Sequence, residues 1–437
     1  MMRTISALLA LLPLCYGQQD VDQKALGQQA YLFAYPLVLM DVTRQAAQGM
    51  NSLVHLRAFP TDKFRYIVRP NADTLYSNAW LDLEKEPMLL HVPDTHGRFY
   101  LMQIMDAWTE TISAPGKRTT GTGEGWFAIV GPGWKGTLPA KATRIDCPTN
   151  MAWILGRTQT NGAADYENVH AIQDGYRLMP LSRYPDGVAA SDQRRPGARR
   201  VPPQIVAEMS TAEFFRRFAA LMKSNPPHAV DAPFMNKLAK SLDAPLSADF
   251  EAGAERAKLL LATIESKRAL LGNVGPTGWT KGSSSIGRYG TNYLARAVVA
   301  RIGLGANPPE DAVYLNCSVD AMGAALDGSR RYKMHFEKAQ LPPVNAFWSI
   351  TVYDPAGYFI SNPIGRYAIG DRDKLKFNED GSLDLYLQES APAESDRVNN
   401  WLPSPKGSFN LAMRLYWPRA EILNGSWTPP AVTVAAP

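Results

Sequence analysis

Phe99-Tyr100-Leu101-Met102-Gln103-Ile104-Met105-Asp106 and Phe347-Trp348-Ser349-Ile350-Thr351-Val352-Tyr353-Asp354 share one pattern: two adjacent aromatics, five residues, then an aspartate. Each reads as a β-strand with alternation of period two. The face carrying Tyr100, Met102, Ile104 and Asp106 matches the face carrying Trp348, Ile350, Val352 and Asp354. The match continues downstream in the same order. Leu138-Pro139 precedes the strand from Asn150 to Leu155, as Leu402-Pro403 precedes the strand from Phe409 to Leu415. One β-unit used twice is the simplest account.

Outward from these strands the grammar changes twice. Residues 23–48 carry apolar positions at helical spacing, with Pro36 inside the run, and predict a leading helix. Strands follow at 65–68, 74–83, 88–92, 98–108, 126–130, 143–147 and 151–158, punctuated by Gly and Pro turns. Between 204 and 305 the period turns helical: Ser210 with Glu213 forms a capping box before the Phe214, Phe215, Phe218 stripe, and Asn225-Pro226-Pro227 stops that helix. Further helices are expected at 249–271 and 290–304. Strands resume at 312–318, 332–336, 345–354, 374–377, 382–388 and 408–417, with Asp327-Gly328 as a hairpin signal. The expected plan is a leader over 1–17, an N-terminal helix over 18–50, a β-sandwich over 51–200, a helical insert over 201–310 and a second β-sandwich over 311–437. The fold class is mainly β with a helical insert, hence α+β.

Arg3, the apolar stretch Ile5 to Leu14 and the small residues Cys15 and Gly17 fit a secretory leader cleaved before Gln18. Roughly ten apolar residues are too few for a permanent span, which takes about twenty. A secreted or periplasmic location is therefore expected. Cys15 raises a lipid anchor, but Leu14 stands where lipidation signals want a small residue. Cys147 and Cys317 would remain, as a single bridge between the halves or as two buried thiols. With 46 basic and 41 acidic residues, no basic stripe points to nucleic acid; the one dense cluster, Arg194 to Arg200, holds Pro and Gly and reads as a solvated linker.

Two blocks of sequence resemble a known pair of domains. Arg69-Pro70-Asn71-Ala72-Asp73-Thr74-Leu75-Tyr76-Ser77, with Ala79-Trp80-Leu81-Asp82-Leu83, resembles the N-terminal domain of unknown function 1254. Asn345 to Asp354, with Asn400-Trp401-Leu402-Pro403 and Arg414-Leu415-Tyr416-Trp417-Pro418, is similar to the partner domain of unknown function 1214. The resemblance implies tandem β-sandwiches, each jelly-roll-like as in double-jelly-roll coat proteins. It implies no activity.

The strand from Thr74 divides its residues unusually. Leu75, Ser77, Ala79, Leu81 and Leu83 form a core face, while Thr74, Tyr76, Asn78, Trp80 and Asp82 form the other. Rings interleaved with hydrogen-bonding groups suit a sugar or a small polar ligand; the plainer reading is a face covered by the helical insert. Just before it, Arg69, Asn71 and Asp73 sit on an expected loop, Asp73 as general acid or base and the other two as positioning groups, with turn-shaping by Asn and Asp as the alternative. Asp106 and Glu110 would complete an acid and base pair if the fold brought them to Asp73. Asp354, within Asp354-Pro355-Ala356-Gly357, fits a turn. Tyr353 and Arg366 are expected to line a second cleft with Tyr358, Asn362, Tyr367 and Asp371, Arg366 holding a carboxylate or phosphate or pairing with Asp371.

No cofactor is expected. His91 and His96 span a turn and lack a third metal ligand. Gly131 to Gly136 fits a dinucleotide pattern by letter, but Thr137-Leu138-Pro139 stands where a phosphate-binding helix would begin. Two functional classes follow: an exported hydrolase-like or lyase-like enzyme acting on a small or saccharide-like ligand, and a non-catalytic assembly protein whose sandwiches form homo-oligomers.

Overall fold

A computed structural model describes residues 22–47, 49–65, 69–187, 201–242, 245–266 and 273–435. The leader expected over 1–17 and the basic cluster 194–200 lie outside the described residues. α1 (Gln23–Ala47) opens the chain, and Asp22 caps it by accepting from the Lys24 and Ala25 amides. The first half then runs β1 (Val54–His55), β2 (Thr74–Asp82), β3 (Met88–Val92), β4 (Tyr100–Asp106), β5 (Thr111–Ser113), β6 (Gly125–Val130), β7 (Ala142–Asp146), β8 (Met151–Gln159), α2 (Tyr166–Gly175) and β9 (Arg177–Pro180).

The helical stretch holds α3 (Pro202–Glu208), α4 (Thr211–Met222), α5 (Ala232–Leu242), α6 (Ala248–Ser266) and α7 (Tyr293–Gly303), with β10 (Asn273–Val274) and β11 (Trp279–Lys281) between the last two. The second half runs β12 (Ala312–Cys317), β13 (Tyr332–Phe336), β14 (Val344–Tyr353), β15 (Ala368–Gly370), β16 (Leu383–Gln388), β17 (Trp401–Pro403), β18 (Asn410–Pro418), α8 (Ala420–Asn424) and β19 (Thr433–Val434).

The two halves have one topology. Sheets of order β1-β2-β8-β4-β5 and β7-β6-β3-β9 face each other in the first; β10-β11-β12-β18-β14-β15 and β17-β16-β13-β19 do so in the second. Equivalent strands occupy equivalent places, down to the parallel pairs β6 with β7 and β16 with β17. Met102, Ile104, Ile154 and Leu81 meet Leu90, Phe127 and Ile129 in one core, and Ile350, Val352, Met413 and Leu315 meet Met334, Leu385 and Leu387 in the other. The paired-aromatic repeat thus marks the same strand of a doubled unit, and its two period-two faces point into the two cores as the alternation dictates.

Two expectations change. Asp327-Gly328 joins no hairpin, because β12 and β13 belong to different sheets. No strand forms at 374–377; the edge strand β15 lies a few residues earlier, while α2, α3, α5 and β9 had no expectation. Cys147 and Cys317 are both buried free thiols, each inside a different sandwich core.

What covers the second face of the β2-β8-β4 sheet decides the rest. At one end lie the helices, with Trp80, Met105, Trp108, Met151, Trp153 and Leu155 packed into the cluster built by α1, α4, α5, α6 and α7. α1 and α6 cross closely at two glycines: a Cβ on Gly27 would sit 2.0 Å from the Phe250 carbonyl oxygen, and one on Gly253 2.0 Å from that of Lys24. At the other end lies the second sandwich. Phe99 and Phe347, equivalent residues of the repeat, meet edge to face at 5.4 Å, and Tyr416 stacks on Phe347 at 4.2 Å. The register makes Arg157 and Arg414 equivalent, opposite Tyr76 and Tyr314 respectively, and both arginines are buried in this contact.

Candidate functional site

The residues singled out by sequence separate into two buried clusters. Thr74 pairs with Gln159, and Asp106 with Ala152. Asp73 and Asp106 therefore lie at opposite ends of one sheet, roughly 25 Å apart at about 3.3 Å per residue. They cannot share a substrate as an acid and base pair.

The Asp73 end is closed. Asp73, Asn71 and Thr74 are buried, so the corner expected to face solvent is sealed between the sandwiches. Asp73 forms an ion pair with Arg372, accepts from Ser349 Oγ at 2.8 Å, and its backbone oxygen accepts from Arg372 Nη1 at 3.1 Å. Arg372 in turn lies over the Phe347 ring at 4.4 Å. The Asn71 amide donates to Thr74 Oγ1 at 2.8 Å and Tyr416 Oη at 3.2 Å, while its oxygen accepts from the Asp73 and Thr74 amides. Arg69, at φ 54°, bonds the side-chain oxygens of Asn316 and Asn410 across the interface. Tyr353 donates to the Pro70 carbonyl at 2.6 Å and accepts from Arg414 at 2.6 Å.

Along the same face, Tyr76 lies under the Arg157 guanidinium at 5.2 Å. Burial alone would raise its phenol, but the Arg157 charge and hydrogen bonds from Asn71 and Arg157 bring it below the ordinary value. Asn78 accepts from the Trp153 indole, and Trp80 stacks on Trp153 at 4.8 Å. The face expected as a ligand platform is thus packed by protein. Arg366 donates to the carbonyls of Val398, Asn399 and Trp401, not to Asp371, which accepts from the Trp348 amide. His91 bonds Glu124 and the Gly175 carbonyl oxygen.

The Asp106 end is assembled differently. Its scaffold is a turn that the repeat uses twice. Asp106 N–H donates to the Glu110 carbonyl and its Oδ1 accepts from the Glu110 amide at 3.0 Å; Asp354 does the same with Tyr358, at 2.8 Å for the side-chain bond. The fourth residue is left-handed in both, Thr109 at φ 71° and Gly357 at φ 90°. The remaining oxygen differs in its partner: Asp354 Oδ2 meets Arg65 at 3.1 Å, whereas Asp106 Oδ2 meets His228 Nε2 at 2.5 Å.

Around that histidine the helical layer gathers charge. His228 Nδ1 lies 3.8 Å from Asp231 Oδ2, and Asp231 Oδ1 accepts from Tyr293 Oη at 3.0 Å. Burial works to lower His228, but its hydrogen bond to Asp106 and that carboxylate's charge outweigh it, so the imidazole is raised above its ordinary value. Glu110 accepts from the Tyr289 amide at 2.8 Å and the Gly290 amide at 3.0 Å, and burial raises its carboxyl. Arg296, on α7, completes the group. It is 0% exposed, with its guanidinium among the rings of Phe33, Trp108 and Tyr293 at 5.2–5.5 Å. None of its three nitrogens has a hydrogen-bond partner among the described residues, the nearest acid being Glu110 at 3.9 Å; Asp231 Oδ2 is likewise unpartnered.

Sequence reasoning named Asp106 and Glu110 and missed His228, Asp231 and Arg296. One signal was present. Tyr293, Arg296, Ala297 and Ala300 are the buried stripe of α7, so an arginine stands where helical spacing calls for an apolar residue.

One solved structure supports the fold. A crystal structure of the VPA0106 protein from Vibrio parahaemolyticus is similar at 22% identity and TM-score 0.72, covering 95% of this chain and 100% of its own. An uncharacterised protein from Burkholderia cenocepacia aligns at 11% identity and TM-score 0.46, over 95% of this chain and 94% of its own. No curated protein matches. Residues 50–180 match the family described as Protein of unknown function (DUF1254), and residues 311–420 the one described as Protein of unknown function (DUF1214). The chain therefore carries a DUF1254 domain followed by a DUF1214 domain, in the order its two motif blocks imply.

Proposed function

We propose that this protein binds a small polar ligand at the Asp106 end of the first sandwich, beneath the helical layer, and exchanges a proton with it through His228. The observation that carries the reading is Arg296: a fully buried guanidinium with no acceptor among the described residues. Burying such a charge unpaired costs several kcal/mol, on the order of 3–5, and that cost is offset when a ligand supplies the acceptors. The Asp106–His228 bond fixes the imidazole, as an orienting carboxylate does for a general base. Catalysis would be of the hydrolase-like or lyase-like acid and base type, with Glu110, raised by burial, as the second proton carrier. The leader-like N-terminus supports an exported protein.

Thermal-shift screening of the full chain against sugars, organic acids and aromatic metabolites tests the reading, since a ligand that binds only the folded form raises the melting temperature. Arg296→Met should abolish any such shift. A ligand whose effect survives that substitution binds elsewhere and defeats the proposal. For the Asp73 end, a structural duty is the better reading, because both carboxylate oxygens are bonded to the second sandwich.

A further inference from the structure

We propose that the ligand is a small organic acid carrying a hydroxyl beside its carboxylate, the carboxylate seated on the Arg296 fork and the hydroxyl on Asp231. This rests on the ligand-binding reading above and deepens it. Arg296 offers five N–H donors in a planar fork and stays charged. The rings of Phe33, Trp108 and Tyr293 surround the guanidinium, so recognition falls to its N–H edges, the geometry that takes a carboxylate through two parallel bonds.

Two of the three nearby carboxylates are committed elsewhere. Glu110 serves the Tyr289 and Gly290 amides; Asp106 serves the Trp108 and Glu110 amides and His228. Asp231 spends Oδ1 on Tyr293, and its buried Oδ2 has no donor among the described residues. A ligand that satisfies both groups brings acceptors for Arg296 and a donor for Asp231. That donor would lie next to His228 Nδ1, 3.8 Å from Oδ2, where a hydroxyl proton can be exchanged.

Charge excludes the nearest competitors. Asp106 and Asp231 flank His228, and Glu110 lies 3.9 Å from Arg296, so a phosphate dianion meets more repulsion here than a single carboxylate does, and Arg296 repels a simple cation. Access is graded in the same sense. The side chains of His228 and Glu110 are 18% and 16% exposed, whereas those of Arg296 and Asp231 are fully enclosed, so both polar ends of the acid would be seated deeper than His228 and Glu110.

The test is titration calorimetry with thermal shift on the full chain at neutral pH, using glycolate, acetate, ethylene glycol and inorganic phosphate as probes. Glycolate is expected to bind about tenfold more tightly than acetate, with ethylene glycol and phosphate weaker than either. Asp231→Asn should remove the glycolate advantage and leave acetate unchanged; Arg296→Met should abolish both acids. Should Arg296→Met fail to fold, the glycolate-to-acetate ratio in Asp231→Asn carries the test. Equal affinities in the unsubstituted protein, or an advantage that survives Asp231→Asn, overturns the hydroxyl assignment while leaving a ligand site in place. Binding of ethylene glycol or phosphate in preference to the acids overturns the acid class alone. Silence from all four probes overturns this inference, and if Arg296→Met is also less stable than the parent, the reading beneath it falls too.

Discussion

The two ends of the β2-β8-β4 sheet each hold a buried aspartate near an arginine, and they treat the pair in opposite ways. At one end Asp73 and Arg372 are bonded to each other and to neighbours from both sandwiches. At the other, Asp106 is fully engaged while Arg296 and one oxygen of Asp231 have no partner among the described residues. Charge bonded within the fold holds a structure together. Unsaturated charge, kept at a cost in stability, is what the proposed ligand site rests on.

The largest test of that contrast is Asp73→Ala, which strands Arg372 between the sandwiches. It should cost about 3–5 kcal/mol in urea unfolding. Arg296→Met should go the other way, gaining about 1–4 kcal/mol in the absence of ligand, because an apolar side chain replaces a buried guanidinium whose nitrogens make no hydrogen bond among the described residues. A large loss there would show that the guanidinium is part of the structural frame, and the contrast would collapse.

Titration sharpens the comparison next. Burial pushes Asp371, beside Arg372, up to about 6 from 3.8, so its charged form weakens the fold. That handicap is complete above about pH 6 and is relieved as pH falls towards 4. His228 is raised above 6.5, so its contribution is present below that value and is lost as pH rises through the folded-state pKa. Both groups make stability fall with rising pH, in adjoining windows. Asp371→Asn should flatten the acidic window alone and His228→Gln the one above it, read as melting temperature against pH. A single substitution that flattens both windows would mean the two ends are coupled.

The smallest effect concerns the shared turn. Thr109→Gly should be stabilising by roughly 0.5 kcal/mol, because it relieves a left-handed residue and removes an unpartnered buried hydroxyl while loosening the unfolded chain; Gly357→Thr should cost about 1 kcal/mol. Opposite signs at equivalent positions would confirm that one turn geometry serves both halves.

Much of the scaffold was legible in sequence because period-two alternation and helix caps are local. The division of the Thr74 strand into two faces, the matched faces of the repeat and the Ser210 cap all follow from neighbours a few residues apart. What covers the second face of a sheet is not local. Tyr76, Asn78 and Trp80 read equally well as a ligand platform or as a buried layer, and contacts with residues 73 to 81 positions away decide for the layer. The Arg69 to Tyr76 corner was misjudged for the same reason. His228, Asp231 and Arg296 join Asp106 and Glu110 across 118 to 190 residues of chain, a distance no spacing rule bridges, although the arginine within the apolar stripe of α7 is a signal that sequence does carry.

Phe99 touching Phe347 is a residue meeting its own counterpart, which is what an isologous dimer does across its two-fold axis. Covalent fusion of two such subunits releases them from identity. In a homodimer a histidine recruited beside Asp106 would appear twice; in the fused chain one turn answers to His228 and its twin keeps an arginine at the surface. Asymmetry is therefore what a doubled chain permits and a homodimer does not, and here it is the first half whose sheet the helices cover.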